Sequence, residues 1–181
     1  MPRIAPLPPE TADTRTDATL KAVRAKLGML PNLFTTLAHA PAALSGYLQL
    51  AESLAGGRLS PRQRELVAIA VAQDNACEYC LSAHAAIGRG LGLSDEDIER
   101  ARHGGAREPG DDAVTEFALL VSRTRAEITD RELETARRAG LDDGQFIEII
   151  ANVALNVLTN YVNRIAGTEV DFPVIALSSA A

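Results

Sequence analysis

The chain of 181 residues is 46% apolar and 23% charged, ordinary values for a single globular domain with a sizeable core. Its formal net charge of −6 argues against a general nucleic-acid binder, which needs a basic surface. No apolar run approaches the roughly 20 residues that cross a bilayer, and the opening MPRIAPLPPETADTRTD lacks the apolar segment of a signal peptide, so the cytoplasm is the expected location.

Residues 1–15 hold four of the nine prolines. They are expected to form an irregular arm, lying on the domain or on a neighbouring subunit, ahead of a single helical domain over 16–181. Asp17 to Leu27 carries helical signals and is followed by Gly28, suited to a left-handed terminating position. Pro31-Asn32 opens a turn with Leu33, Phe34 and Leu37 on one face. Pro41 suits the first position of a helix that carries Leu44, Tyr47, Leu48 and Ala51 and stops at Gly56-Gly57. Ser60-Pro61-Arg62-Gln63 is a capping box with proline at its first helical position, and starts a helix to about Gln73. Asn75 is expected to cap the next helix, with Glu78 at its third position; that helix runs through the cysteines to about Arg89. Ser94 caps Asp95 to Arg102, where acids fill the first turn as the helix dipole favours. Asp111 begins a helix with Val114, Phe117, Ala118 and Val121 inward, and Thr129 to Glu132 forms another capping box. Asp142 starts the longest helix, to about Ala166, whose apolar positions are Phe146, Ile149, Ile150, Val153, Val157, Tyr161 and Ile165. From Asp171 the chain is irregular. No alternating strand pattern occurs, so the fold class is all-α.

The chemistry concentrates in Glu65 to His84, ELVAIAVAQDNACEYCLSAH. This stretch holds both cysteines, Cys77 and Cys80, spaced C-x-x-C, and one of the three histidines, His84. With no third cysteine and no secretory signal, the pair points to redox chemistry or metal binding rather than a disulfide framework. Spacings of three and four residues put Cys77, Cys80 and His84 on one helical stripe. Near a helix N-terminus both thiols meet the positive end of the dipole, which favours thiolate. Glu65 and His84 are equidistant from a turn centred on Asp74-Asn75, so an antiparallel helical hairpin sets them level. There Glu65 orients the imidazole of His84, and His84 takes the proton of Cys80, the logic of nucleophile, base and orienter. Zinc is a rival occupant, held by Cys77, Cys80 and His84 with His39 or His103, although zinc sites usually draw ligand pairs from two separate segments. A pair of inert buried cysteines is the other alternative; it leaves the matched Glu65 and His84 unexplained. Asn156, Asn160 and Asn163 fall on or near one face of the last helix; lining the site is one role for them, but a subunit contact or bonding to helix carbonyls is the one expected.

The pattern Glu-x(11)-Cys-x(2)-Cys-x(3)-His, as Glu65, Cys77, Cys80 and His84, resembles the signature of the alkylhydroperoxidase D / carboxymuconolactone decarboxylase superfamily. The stretches AIAVAQDNACEYCLSAHAAIGRGLGLSDEDI and EIIANVALNVLTNYVNRIAGTEVDFP are similar to its peroxidase-related (AhpD-like) members, and the resemblance runs from about Leu27 to Pro173. It implies an all-helical fold, a homo-oligomer such as a trimer or hexamer, and thiol-dependent reduction of an alkyl hydroperoxide by an antioxidant oxidoreductase with no bound cofactor. It implies Cys80 as the peroxide-attacking thiol and Cys77 as the resolving one. Position along the helix dipole alone favours Cys77, whereas contact with His84 favours Cys80, and a direct proton acceptor outweighs a fractional difference in field. The implied partners are a hydroperoxide substrate and a dithiol reductant, either a thioredoxin-like or a lipoyl protein, with no nucleic acid and no membrane. The decarboxylase branch does not rely on a cysteine pair, which argues against that activity. One position departs from the family's best-known peroxidases. They carry a histidine of a proton relay just before the second cysteine, where this chain has Tyr79. A phenol of ordinary pKa about 10 relays protons poorly at neutral pH, yet it hydrogen-bonds. That departure motivates a different reading, a redox sensor or disulfide exchanger with Cys77–Cys80 as its switch.

Overall fold

Residues 1–178 of the chain are described by the computed structural model. A 3-10 turn at Pro9–Thr11 leads into nine α-helices: α1 (Thr14–Leu27), α2 (Asn32–Leu37), α3 (Pro41–Ala55), α4 (Pro61–Asp74), α5 (Glu78–Gly90), α6 (Asp95–Arg102), α7 (Pro109–Thr124), α8 (Asp130–Arg138) and α9 (Asp143–Ala166). The described residues contain no strand, and the fold is all-α. No helix among them is long and apolar enough to cross a membrane.

Helix α4 is the axis of the structure because its second half is apolar all round. Leu66 to Ala72 are all buried, a pattern that only a helix enclosed on every side tolerates. Helices α5, α6, α7 and α9 pack against it. Its side chains divide between two cores. Leu66, Ile69 and Ala72 join α1, α2, α3, α5 and α6 in one, and Val67 and Val71 join α7 and α9 in the other. Helix α5, which carries the cysteines, therefore sits on a wall formed by one face of α4.

The expected capping boxes at Ser60/Gln63 and Thr129/Glu132 are present, each with reciprocal side-chain and backbone bonds, and Asp142/Gln145 forms a further one. Helix α6 has the same arrangement at Ser94/Asp97. Two helices start earlier than the sequence suggested. Asp13 accepts the N–H groups of Arg15 and Thr16, so α1 begins at Thr14 and the arm is shorter than 1–15. Pro109 takes the first position of α7, ahead of Asp111. Helix α2 follows Pro31, which has no capping side chain. Its exposed N–H groups are met from elsewhere: Asp171 Oδ2 accepts from Asn32 N at 2.7 Å, and the Tyr79 hydroxyl accepts from Leu33 N at 3.2 Å. A carboxylate suits this position because the helix N-terminus carries positive partial charge.

The described residues near both ends of the chain lie on the domain. The N–H groups of Arg3 and Ile4 share the Ala166 carbonyl at 2.6 and 3.1 Å, and Leu7 N donates to Thr35 O at 3.0 Å. The C-terminal segment runs without regular structure along α4, α5 and α6. Ile175 N donates to Ser82 Oγ at 3.0 Å, and Arg102 Nη2 donates to the Ala176 carbonyl at 2.9 Å. Its apolar residues Val170, Phe172, Ile175 and Leu177 pack on the core that contains Cys77 and Cys80.

Candidate active site

The link between α4 and α5 differs from the sequence reading: α5 starts later, with Cys77 as its N-cap, and this corrects the position of both cysteines. Asn75 does not cap α5; it ends α4. Ala76 follows in the left-handed region at φ 51°. Ala76 N then donates to Gln73 O at 3.1 Å and Cys77 N to Ala72 O at 2.9 Å, the paired bonds of a Schellman motif. Glycine usually takes that left-handed position, and its absence here hid the motif. Cys77 is thus the residue that closes α4 and also the N-cap of α5, its sulfur accepting from Cys80 N at 3.3 Å. Cys80 occupies the third helical position, so both sulfurs lie within the first turn of α5.

Cys77 and Cys80 are joined as a disulfide with Cα atoms 5.3 Å apart. Their residues are 1% and 2% exposed, so the pair is shielded from solvent within the described chain. Asn163 on α9 reaches this site, its Nδ2 donating to Cys80 Sγ at 3.2 Å. Each sulfur therefore has one N–H donor: a backbone amide for Cys77 and a side-chain amide for Cys80. The Asn163 Oδ1 is buried with no hydrogen-bond partner among the described residues. The asparagines of α9 serve separate ends. Asn156 Nδ2 bonds the Asn152 carbonyl at 2.8 Å, as helix asparagines commonly do, and Asn160 Oδ1 accepts from Asn75 Nδ2 at 3.1 Å, tying α9 to the α4–α5 link. Only Asn163 touches a cysteine. Its periodicity placed it on the correct face, but nothing local could tell it from its neighbours.

One turn beyond Cys80 on the same stripe stands His84. Its Nδ1 bonds Glu65 Oε2 of α4 at 2.8 Å, and both side chains are largely buried. A carboxylate only accepts at neutral pH, so Nδ1 carries the proton and Nε2 of the neutral ring is left as an acceptor. The remaining two histidines lie elsewhere. A ring nitrogen of His39 bonds the Ala5 carbonyl at 2.9 Å, and His103 Nε2 bonds Glu99 at 3.1 Å. Among the described residues no three His, Cys, Asp or Glu side chains are grouped to hold a metal ion.

A cavity of about 350 Å³ opens beside this pair. Glu65 and His84 line it together with Arg64, Asn152 and Asn156, and its apolar and aromatic walls include Phe34, Tyr47, Tyr79 and Phe172. Neither cysteine lines it; His84 is the element shared by the cavity and the cysteine stripe. Burial pushes the Tyr47 phenol up to about 12, with the Glu65 charge adding to it. Burial also pushes the Tyr79 phenol well above its ordinary value, and the negative charge of Asp171 acts in the same direction. Tyr79 is 5% exposed, edge-on to Phe172 at 5.8 Å, with its hydroxyl engaged by Leu33 N.

The family model "Carboxymuconolactone decarboxylase family" matches residues 41–123, which span α3 to most of α7 and include Glu65, both cysteines and His84. Solved structures extend the likeness over nearly the whole chain. An uncharacterized peroxidase-related protein from Ralstonia eutropha JMP134, described as an alkylhydroperoxidase AhpD core, is 26% identical; 93% of each chain is covered, with a TM-score of 0.82. The chain is similar to the alkylhydroperoxidase D / carboxymuconolactone decarboxylase superfamily in the matched segment and to its peroxidase-related structures over the whole fold. A second peroxidase-related protein, from Silicibacter sp. TM1040, shares 25% identity over 92% of each chain, with a TM-score of 0.79. The debrominase Bmp8, solved with 2,3,4-tribromopyrrole, shares the fold at 17% identity, covering 93% of this chain and 91% of that one, with a TM-score of 0.77. No curated protein matches the sequence significantly. Of the Glu-x(11)-Cys-x(2)-Cys-x(3)-His pattern, Glu65 lies on α4, Cys77 is the N-cap of α5, and Cys80 and His84 lie on α5; Asn163 joins them from outside the matched segment.

Proposed function

We propose that the chain is a thiol-dependent hydroperoxide reductase in which Cys80 is the attacking thiol, Cys77 the resolving thiol, His84 the base and Glu65 its orienter. Likeness to the superfamily and the peroxidase-related structural neighbours support the broader oxidoreductase class. The observation that carries the finer reading is the 2.8 Å bond between Glu65 and His84, one helical turn from Cys80. It leaves Nε2 as the free acceptor of a ring that lines the cavity, on the helix that carries Cys80.

In the reduced enzyme His84 takes the Cys80 proton, and the thiolate is held by the Asn163 amide and the N-terminal dipole of α5. The thiolate attacks the distal oxygen of ROOH; the O–O bond breaks, and the alkoxide leaves as ROH with the proton returned by His84. Cys80 is then a sulfenic acid. The Cys77 thiol attacks its sulfur, water leaves, and the Cys77–Cys80 disulfide forms. An external dithiol, of the thioredoxin-like or lipoyl kind, returns both cysteines to thiols and is itself oxidised. Tyr79 plays no part as a proton relay in this scheme: its phenol holds α2 in place, and its raised pKa keeps it neutral. The same observation favours a second reading, a redox sensor that oxidises to the disulfide with little turnover.

Stopped-flow oxidation of the reduced protein by cumene hydroperoxide distinguishes the cases. Rapid oxidation in the wild type, lost in Cys80→Ser, is the expected result. Oxidation at wild-type rate in Cys80→Ser would overturn the role of Cys80. Rapid oxidation without multiple turnovers in the presence of dithiol reductants would assign the chain as a sensor instead.

A further inference from the structure

The cavity beside Glu65 and His84 is apolar at its mouth and carries few polar groups inside. Leu27, Met29 and Ile87 line it and are 49%, 37% and 44% exposed, so three large apolar side chains stand where it meets solvent. Its volume of about 350 Å³ has room for about a dozen waters. Two opposite charges, Arg64 and Glu65, line it, and both are engaged. Arg64 Nη1 donates to the Leu59 carbonyl at 2.7 Å, and Glu65 bonds His84. A charged ligand would find no unengaged counter-charge on this wall.

Three polar atoms of the lining residues are left without partners. The Asn152 amide group donates to the Glu148 carbonyl and the Asn156 amide group to the Asn152 carbonyl, both at 2.8 Å. These two side chains are 3% and 6% exposed and line the cavity, and neither Oδ1 accepts a hydrogen bond among the described residues. The third atom is the Tyr47 hydroxyl. Its ring packs on Phe34 with centroids 6.1 Å apart, and no hydrogen bond engages its oxygen among the described residues. Tyr79, the other phenol of the wall, has its hydroxyl engaged by Leu33 N. Because burial and the Glu65 charge push the Tyr47 phenol up to about 12, it keeps its proton and remains a donor at physiological pH. One donor and two acceptors match an oxygen that both accepts and donates, as a hydroxyl or hydroperoxyl group does. A buried polar group without a partner costs free energy, and a ligand that meets it recovers that cost.

We propose that this cavity binds the organic part of the substrate, an uncharged molecule with one compact aromatic or branched apolar body and one hydroxyl-type group, and that Tyr47 donates a hydrogen bond to the oxygen of that group. Resting on the assignment of the chain as a hydroperoxide reductase, the cavity selects among hydroperoxides by size and charge. Hydrogen peroxide takes the room of about two waters and leaves most of the apolar wall wet. A phenyl or branched alkyl group displaces water from the rings of Phe34 and Phe172. A carboxylate on the ligand would meet Glu65 as a like charge. Tyr47 keeps its proton throughout: its hydrogen bond holds the oxygen that leaves as ROH, and the proton of that product comes from His84.

Binding to the oxidised protein tests the site without any peroxide chemistry. The probes are 2-phenyl-2-propanol, the alcohol that cumene hydroperoxide yields, and cumene, the same body without the hydroxyl, each followed by NMR shift titration with circular dichroism to show that every variant is folded. Both are expected to bind saturably. Ala51, a partly exposed residue of α3 on the cavity wall, is the place to fill the space. Ala51→Phe is expected to weaken both probes on the order of tenfold or more. Tyr47→Phe is expected to weaken the alcohol about five- to tenfold and to leave cumene as it was. No saturable binding of the alcohol, or full affinity in Ala51→Phe, overturns the site; an equal loss for alcohol and cumene in Tyr47→Phe overturns its role as donor. In the reduced protein, stopped-flow oxidation by cumene hydroperoxide is expected on the order of 100-fold faster than by hydrogen peroxide. Equal rates overturn the selection. A protein that binds the alcohol yet is oxidised by neither peroxide fails as a reductase, while the ligand class read from the cavity stands.

Discussion

Replacing Asn163 with leucine separates the chemistry of the site from the stability of the fold, because the two are expected to move in opposite directions. Asn163 and Cys80 are both almost fully buried, and the Nδ2–Sγ distance is 3.2 Å. A hydrogen bond to a charged acceptor is worth about 2 kcal/mol, and a neutral thiol accepts weakly, so the loss falls on the thiolate. That corresponds to a decrease on the order of 30-fold in thiolate population at fixed pH, and a matching decrease in the rate of peroxide attack. The same substitution removes a buried carbonyl oxygen with no partner, whose desolvation costs about 1–3 kcal/mol. Leucine is close in volume, so the thermal midpoint is expected to hold or rise. The assay pairs the second-order rate of oxidation by cumene hydroperoxide with thiolate absorbance and a thermal melt. Unchanged rate and unchanged thiolate absorbance in Asn163→Leu would refute the argument that this amide supports the sulfur. Asn163→Asp sharpens the test by placing a carboxylate beside the sulfur, and it should slow the reaction at least as much.

Glu65→Gln keeps the size of the side chain and removes its charge from beside His84; the oxidation rate is expected to fall on the order of tenfold or more with the helix content intact, and an unchanged rate excludes the relay. Tyr79→Phe removes the acceptor for Leu33 N, which should cost about 1–2 kcal/mol in denaturant unfolding, while the peroxide rate stays at the wild-type value; a collapse of that rate would make the phenol a participant. Ala76→Gly relieves an exposed left-handed alanine and is expected to raise stability by about 0.5–1 kcal/mol, measured as a shift of the urea midpoint. Asp97 carries the pH prediction. Burial alone would raise its carboxyl, but bonds from Ser94 and the Arg62 and Arg107 guanidinium groups bring it below its ordinary value. A lowered folded pKa contributes stability above the unfolded value of about 4 and loses it as pH falls through the folded one. Asp97→Asn should therefore destabilise at pH 7 and flatten the dependence of stability on pH below about 4; an unchanged acid limb contradicts the assignment.

The sequence determined the all-α class, most helix boundaries and the residues of the central stretch, because those depend on local signals. Capping boxes, prolines at first helical positions and a 3.6-residue apolar period act within a few residues. Counting outward from the α4–α5 turn was enough to put Glu65 level with His84, since two helices joined by a short link have little choice of register. Local signals failed where the deciding contact came from far along the chain. Asn75 has the look of a cap, but Ala76 in a left-handed conformation moved that role to Cys77. Asp171 and Tyr79 supply the caps that Pro31 cannot give to α2, from 139 and 46 residues away. Asn163 reaches Cys80 across 83 residues. The apolar period of α9 showed Ile150, Tyr161 and Ile165 as a face to be buried, and only the packed structure revealed that they lie on the outside. A period counts apolar positions on a helix without saying which neighbour covers them; that is fixed by packing, which joins parts of the chain that no local pattern connects.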